Sequence, residues 1–229
     1  MNEKMNALIY KKYSLNTLKI QFVSQLLFVL FICILSLIEF KVNNNYLVLS
    51  LNRILVFTSY LFMAGGLINA SIEVENPESK IVYLLIANKS RSAKEIIIVE
   101  LIDCVLQAIL SLLVILSFFF LKGSVAEINL MALFSYILGT TLCFFIAYYL
   151  TLFFKSSMVA LAALLIFPIL VLPYVDRVLP IVLPYIYYEA ISESYKTPVI
   201  SVSHIVLLFW NFIILLLIYL KIKKGFKNG

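Results

Sequence analysis

Six long apolar runs, separated by short polar stretches, fill most of the 229-residue chain. A helix needs about 20 mainly apolar residues to cross a hydrocarbon core of about 30 Å. The pattern places spans at 20–40, 46–70, 92–121, 128–154, 158–175 and 201–220. The expected fold class is an all-α integral membrane protein, with six transmembrane helices in a single transmembrane domain over 1–229. Ahead of the first span, residues 1–19 put Met5, Leu8, Ile9 and Tyr13 close to one helical face, with Lys4, Lys11 and Lys12 largely off it. That is the pattern of a helix lying in a membrane interface.

Within the spans, small residues mark the packing faces. Gly65, Gly66 and Ala70 in the second span allow another helix to approach closely. Ser135, Gly139, Cys143 and Ala147 recur every four residues in the fourth span and form a stripe of the same kind. Pro168 kinks the fifth span by removing a backbone hydrogen bond. Five of the six prolines, Pro168, Pro173, Pro180, Pro184 and Pro198, fall between the fifth and sixth spans. The intervening VLPIVLPYIYYEAI is too apolar for a free loop and too interrupted for a span. It predicts a broken apolar hairpin of half-inserted helices over 176–198 at the outer leaflet, with Tyr185, Tyr187 and Tyr188 at headgroup level.

Composition agrees. The chain is 63% hydrophobic with a mean hydropathy of +1.05, and only 13% of its residues are charged. Soluble domains carry about 25%. The first span follows a polar stretch and ends in a charged loop, so it is expected to remain as a span and not to be cleaved as a signal peptide. Thirteen of the eighteen Lys and Arg residues lie on the side that holds both termini and 71–91, and five, including Arg53, lie on the other. The positive-inside rule therefore puts both termini in the cytosol of a multi-pass protein of the cell membrane. Lysine, asparagine and isoleucine are abundant, the bias of an AT-rich bacterial genome.

The one strongly polar island is 72–103, which holds six of the twelve acidic residues and four basic ones. Asn76, Pro77 and Glu78 read as a helix start: an Asn cap, a proline at the first position and an acid in the first turn. The short helix that follows, within 76–88, places Ile81, Leu84 and Leu85 on one face, flanked by Lys80 and Tyr83. A second start is predicted at Ser92, where Ser-Ala-Lys-Glu95 matches a capping box. The run to Leu121 is longer than a bilayer requires, and a charge at its centre costs about 2.5 to 3.5 kcal/mol. Glu100 and Asp103 are therefore expected as solvated charges at or beyond the inner interface, on a third span that projects about 18 Å into the cytosol.

An acidic pair before a short helix, a small polar break, then Ser-Arg and a long third span resembles the cytosolic loop of type 2 ABC exporter permeases. The six-span layout, with its interfacial helix and broken hairpin, is similar too. The resemblance implies that the short helix is a coupling helix docked on a cytosolic ABC ATPase. Two such ATPase subunits and a second permease, identical or similar, would complete the assembly. Glu73 and Glu75 match the acidic pair, and Lys80, Ile81, Tyr83, Leu84, Leu85, Asn88 and Arg91 complete the implied ATPase-coupling set. Pro168, Pro173 and Tyr185 are candidates for the gate or pathway. The chain departs from the family pattern in carrying Asn76 and Pro77 where glycine is frequent, and Glu100 where lysine is frequent at the start of the third span. Its length and lysine-rich character are most similar to small permeases of Gram-positive peptide exporters, such as those for phenol-soluble modulins and lantibiotics. The cargo implied is an apolar or amphipathic peptide, toxin or antibiotic.

The chain has no G-x-x-x-x-G-K-[ST] run, so ATP and Mg are expected on the partner ATPase, with no cofactor on this chain, no metal and no nucleic acid. Cys33, Cys104 and Cys143 lie in apolar runs without paired spacing and read as packing residues. The lone His204 reads as a polar anchor at the outer end of the sixth span, and Asp176 and Arg177 as headgroup contacts or an exit gate. No catalytic cluster marks an enzyme. The alternative function is an ion-coupled secondary transporter, which requires charged groups deep in the bundle.

Overall fold

The computed structural model describes residues 16–42, 47–75, 89–121, 129–196 and 199–225. These are 94% helical, contain no strand, and include six helices long and apolar enough to cross a membrane. In hydrocarbon every backbone polar group must be satisfied internally, which apolar sequence of this length achieves only as helix.

The first four spans are α1 (Asn16–Val42), α2 (Leu47–Glu75), α3 (Lys89–Leu121) and α4 (Leu130–Phe154). The fifth is built in pieces: α5 (Ser157–Ile166), a π-turn (Phe167–Val171) and α6 (Leu172–Val178). A 3₁₀ segment (Pro180–Tyr185) and α7 (Tyr187–Ser194) lead to the sixth span, α8 (Val202–Gly225). One end of the bundle carries the ends of helices at Asn16, Glu75, Lys89, Phe154, Ser157 and Gly225, and is called the lower end here. Residues 1–15, and with them most of the predicted interfacial helix, lie outside the described residues, as do 76–88.

Local chemistry sets several boundaries. Asn129 caps α4, its Oδ1 accepting from the Met131 N–H at 2.9 Å. Lys155 ends α4 in the left-handed region at φ 56°. Ser156 caps α5 immediately after, which makes the tight turn expected there. Pro168, at the start of the π-turn, and Pro173, at the start of α6, cannot donate to the preceding turn, so the fifth span widens where an i→i−4 ladder fails. The third span begins at Lys89, not at Ser92: Ser90 and Arg91 are helical, and Ser92 is an interior residue. Nothing between Lys89 and Glu95 is a helix breaker, and propagating an existing helix is favourable once it is nucleated.

α4 is the core of the bundle. Two thirds of it (67%) is buried, against 22% of the apolar window of the first span and 11% of the fifth. The last two therefore present most of their apolar surface outward. The most extensive contact is α2 on α4, followed by α8 on α4. Gly66 makes the former possible, since a Cβ there would fall on the Phe144 carbonyl oxygen and lie 3.0 Å from the Tyr148 nitrogen. Ala70, one turn on, is fully buried. The stripe of Ser135, Gly139, Cys143 and Ala147 is also fully buried, as a helix-packing face should be.

Candidate functional site: a polar lane below a re-entrant helix

The upper half of the bundle is closed by α7. Ser135 Oγ reaches the Ser194 carbonyl at 3.3 Å and Tyr195 Oη bonds Ser59 Oγ at 2.6 Å. Gly139 leaves room for both Tyr195 and Ile191, since a Cβ on it would stand 2.9 Å from the Tyr195 hydroxyl. The small stripe of α4 is thus the bed of α7.

Phe167 stands midway along the fifth span (157–178). It stacks on Tyr187 and Tyr188 at centroid distances of 5.7 and 6.0 Å, both at 18°. Tyr188 also meets Tyr60 at 5.2 Å, and Tyr187 meets Trp210 edge-on at 6.4 Å. The chain therefore turns back after α6, descends to the level of Phe167, and climbs out again as α7. Tyr187 and Tyr188, expected at headgroup level, are instead in a mid-bundle aromatic cluster. Their rings are too apolar to remain in water when Phe167 and Trp210 offer a dry surface. Tyr185 is exposed, and its carbonyl accepts from Trp210 Nε1 at 2.9 Å. Asp176 and Arg177 are exposed at the end of α6.

His204, expected as a polar anchor at the outer end of the sixth span, is buried and acts as a cross-brace. The Ser201 backbone N–H donates to its Nδ1 at 3.1 Å, which fixes Nδ1 as an acceptor in this network. The proton of the neutral ring then sits on Nε2 and is donated to Ser135 Oγ, 2.9 Å away. One ring ties the start of α8 to α4.

Below this cap the interior is polar. On α3, Glu100, Asp103, Gln107 and Ser111 follow one another at three- and four-residue steps, which puts them on one helical face. All four are at least 92% buried. The expectation that Glu100 and Asp103 are solvated at an interface is therefore overturned: each is only 6% exposed. The insertion cost that argued for solvation applies to a charge facing lipid, and this face of α3 is turned into protein. Gln107 Nε2 donates to Asp103 Oδ2 at 2.9 Å. α1 turns Gln21, Gln25, Val29 and Cys33 inward, one per turn, all buried. Asn69 of α2 donates to the Gly65 carbonyl at 2.9 Å and to Gln21 Oε1 at 3.3 Å.

The lane ends at Tyr136. Its ring lies edge-on to Phe62 at 6.5 Å, and its hydroxyl faces Thr58 and Ser111 with Cys33 and Cys104 close by. From Glu100 to Ser111 is eleven residues, about 16 Å along α3. Both amide atoms of Gln25, Nε2 of Gln21 and Oε1 of Gln107 are buried here without a hydrogen-bond partner among the described residues.

Of the residues expected to couple to an ATPase, Glu73 and Glu75 fall in the last turn of α2 and Arg91 in the first turn of α3. Lys80, Ile81, Tyr83, Leu84, Leu85 and Asn88 lie outside the described residues. The structure brings Pro168, through Phe167, next to the aromatic cluster, while Pro173 is exposed on α6. None of the three cysteines forms a disulfide, and no group of three or more His, Cys, Asp or Glu suited to a metal occurs among the described residues. No protein-family model, curated protein or solved structure matches the chain.

Proposed function

We propose that this chain is the membrane-spanning permease subunit of an ATP-driven exporter. It would carry an apolar or amphipathic peptide, toxin or antibiotic out of a bacterial cell together with two copies of a separate cytosolic ABC ATPase and a second permease. In this reading the lower end faces the cytosol. The observation that supports it most is α3 itself, an unbroken 33-residue helix from Lys89 to Leu121, about 50 Å long. In sequence, segment 76–88 joins the end of α2 to the start of that rod.

The packing says how a push on 76–88 would travel. α2 and α4 meet backbone to backbone at Gly66 and Phe144, so they move as one body. α7 is pinned to the same pair through Ser59, Tyr195 and Gly139. A tilt of α2 driven from the lower end therefore shifts the re-entrant cap at the upper end. The π-turn of the fifth span, with its lost backbone bonds, is the compliant joint beside it. Co-reconstitution with a candidate ABC ATPase tests the reading: transport must require ATP hydrolysis.

A second reading, an ion-coupled transporter, is favoured by one observation, the burial of Glu100 and Asp103. It predicts transport in ATPase-free vesicles under an ion gradient alone.

A further inference from the structure

We propose that one anionic phospholipid of the adjoining leaflet is held at the lower end of the bundle between α4 and α8, its headgroup on Lys155 and Lys221 and its chains along Phe153 and Leu217. The inference holds whether or not the chain works with an ATPase.

Neither α4 nor the part of α8 above Lys221 contains a lysine, arginine, aspartate or glutamate. Lys155 and Lys221 are therefore the first charges met where these two packed helices leave the apolar layer. Their depth is the same, because Lys221 Nζ crosses to α4 and lies over the ring of Phe153, two residues before Lys155, at 4.9 Å from the centroid. Lys223 Nζ lies over Tyr219 at 5.6 Å. Among the described residues no carboxylate is within ion-pair distance of any of the three, whereas Lys196 at the upper end is paired with Glu193 at 2.6 Å. A ring face attracts an ammonium group but carries no net charge, so the cluster stays positive. Basic clusters between spans at this level match anionic headgroups.

The wall above the ammonium groups says which anion fits. Phe153 is 52% exposed, Phe154 41%, and Leu217, one turn above Lys221, 37%. A lysine at such an edge lays its stem on apolar surface and keeps its charge at headgroup level. A free anion would use only the charged rim, while an anion carrying acyl chains also covers the apolar surface directly above it.

The full-length protein in neutral detergent is titrated with phosphatidylglycerol and, separately, with phosphatidylcholine of the same chains, and bound lipid is counted by native mass spectrometry. Phosphatidylglycerol is expected to bind more tightly. Lys155→Gln and Lys221→Gln should each weaken it by about fivefold, the share of one lysine beside an anionic lipid, and leave phosphatidylcholine unchanged. Lys19→Gln with Lys94→Gln, which removes exposed lysines of α1 and α3 near the same end, should have no effect. The unfolding temperature without lipid shows that each variant is folded. As a measurement free of variants, added salt should release phosphatidylglycerol from the wild-type protein, and inorganic phosphate at equal ionic strength should release no more than chloride does. Equal affinity for the two lipids, insensitivity to salt, full affinity in both single variants, an equal loss with Lys19→Gln and Lys94→Gln, or specific displacement by phosphate overturns the proposal.

Discussion

The α-carbon of Gly66 lies against the backbone of Phe144 so closely that even one added methyl group would occupy the position of the Phe144 carbonyl oxygen. Gly65, its neighbour, differs: a Cβ there would meet the end of the Gln21 side chain at 2.8 Å, which can swing away. Gly66→Ala is therefore expected to destabilise the protein by about 1–3 kcal/mol, the range of overpacked cores, and Gly65→Ala by much less. Thermal unfolding in detergent orders the two; equal effects would contradict the backbone contact.

The Ser59–Tyr195 pair holds α7 to α2 across 136 residues of sequence. Hydrogen bonds between membrane helices average about 0.6 kcal/mol in double-mutant cycles. A cycle of Ser59→Ala and Tyr195→Phe should return a coupling of that order. A coupling of zero would mean that this bond does not help to hold α7 to α2.

His204 predicts a graded series. His204→Ala removes the Nδ1 acceptor for the Ser201 N–H and hydroxyl as well as the donor to Ser135, and should cost about 1–3 kcal/mol. In the Ser135→Ala background the cost should shrink, because the bond to Ser135 is already gone. Unfolding of the four proteins in one denaturant series checks this.

Pro168 tests the joint. Pro168→Ala restores a backbone donor and should straighten the fifth span, leaving stability unchanged or raised while transport falls. Loss of stability with transport intact would remove the π-turn from the mechanism.

Much of this fold was legible from residue pattern. Apolar length predicts six spans, and the described residues include six helices long and apolar enough to cross a membrane; helices run past the apolar part to Glu75 on α2, to Gly225 on α8 and back to Asn16 on α1. The stripe of Ser135, Gly139, Cys143 and Ala147 identified a packing face, but spacing does not say which element will fill it; here the occupant of Gly139 is a re-entrant helix. Glu100 and Asp103 were misplaced because depth was argued between lipid and water, and protein interior is a third environment. The three- and four-residue steps to Gln107 and Ser111 were the available signal. His204 was misread for a similar reason: the small side chain at Ser135 and the serine three residues before it make a lone histidine a brace. The predicted coupling residues between 76 and 88 lie outside the described residues, so their reading still rests on residue pattern.

The central claim, that 76–88 docks a separate ATPase, is tested most directly by ATPase stimulation in the reconstituted complex with Leu84→Glu and Leu85→Glu. Charge on the apolar face expected for 76–88 should abolish both complex formation and stimulation while the bundle's own unfolding temperature is unchanged. Full stimulation and intact complex formation in both variants would contradict the account.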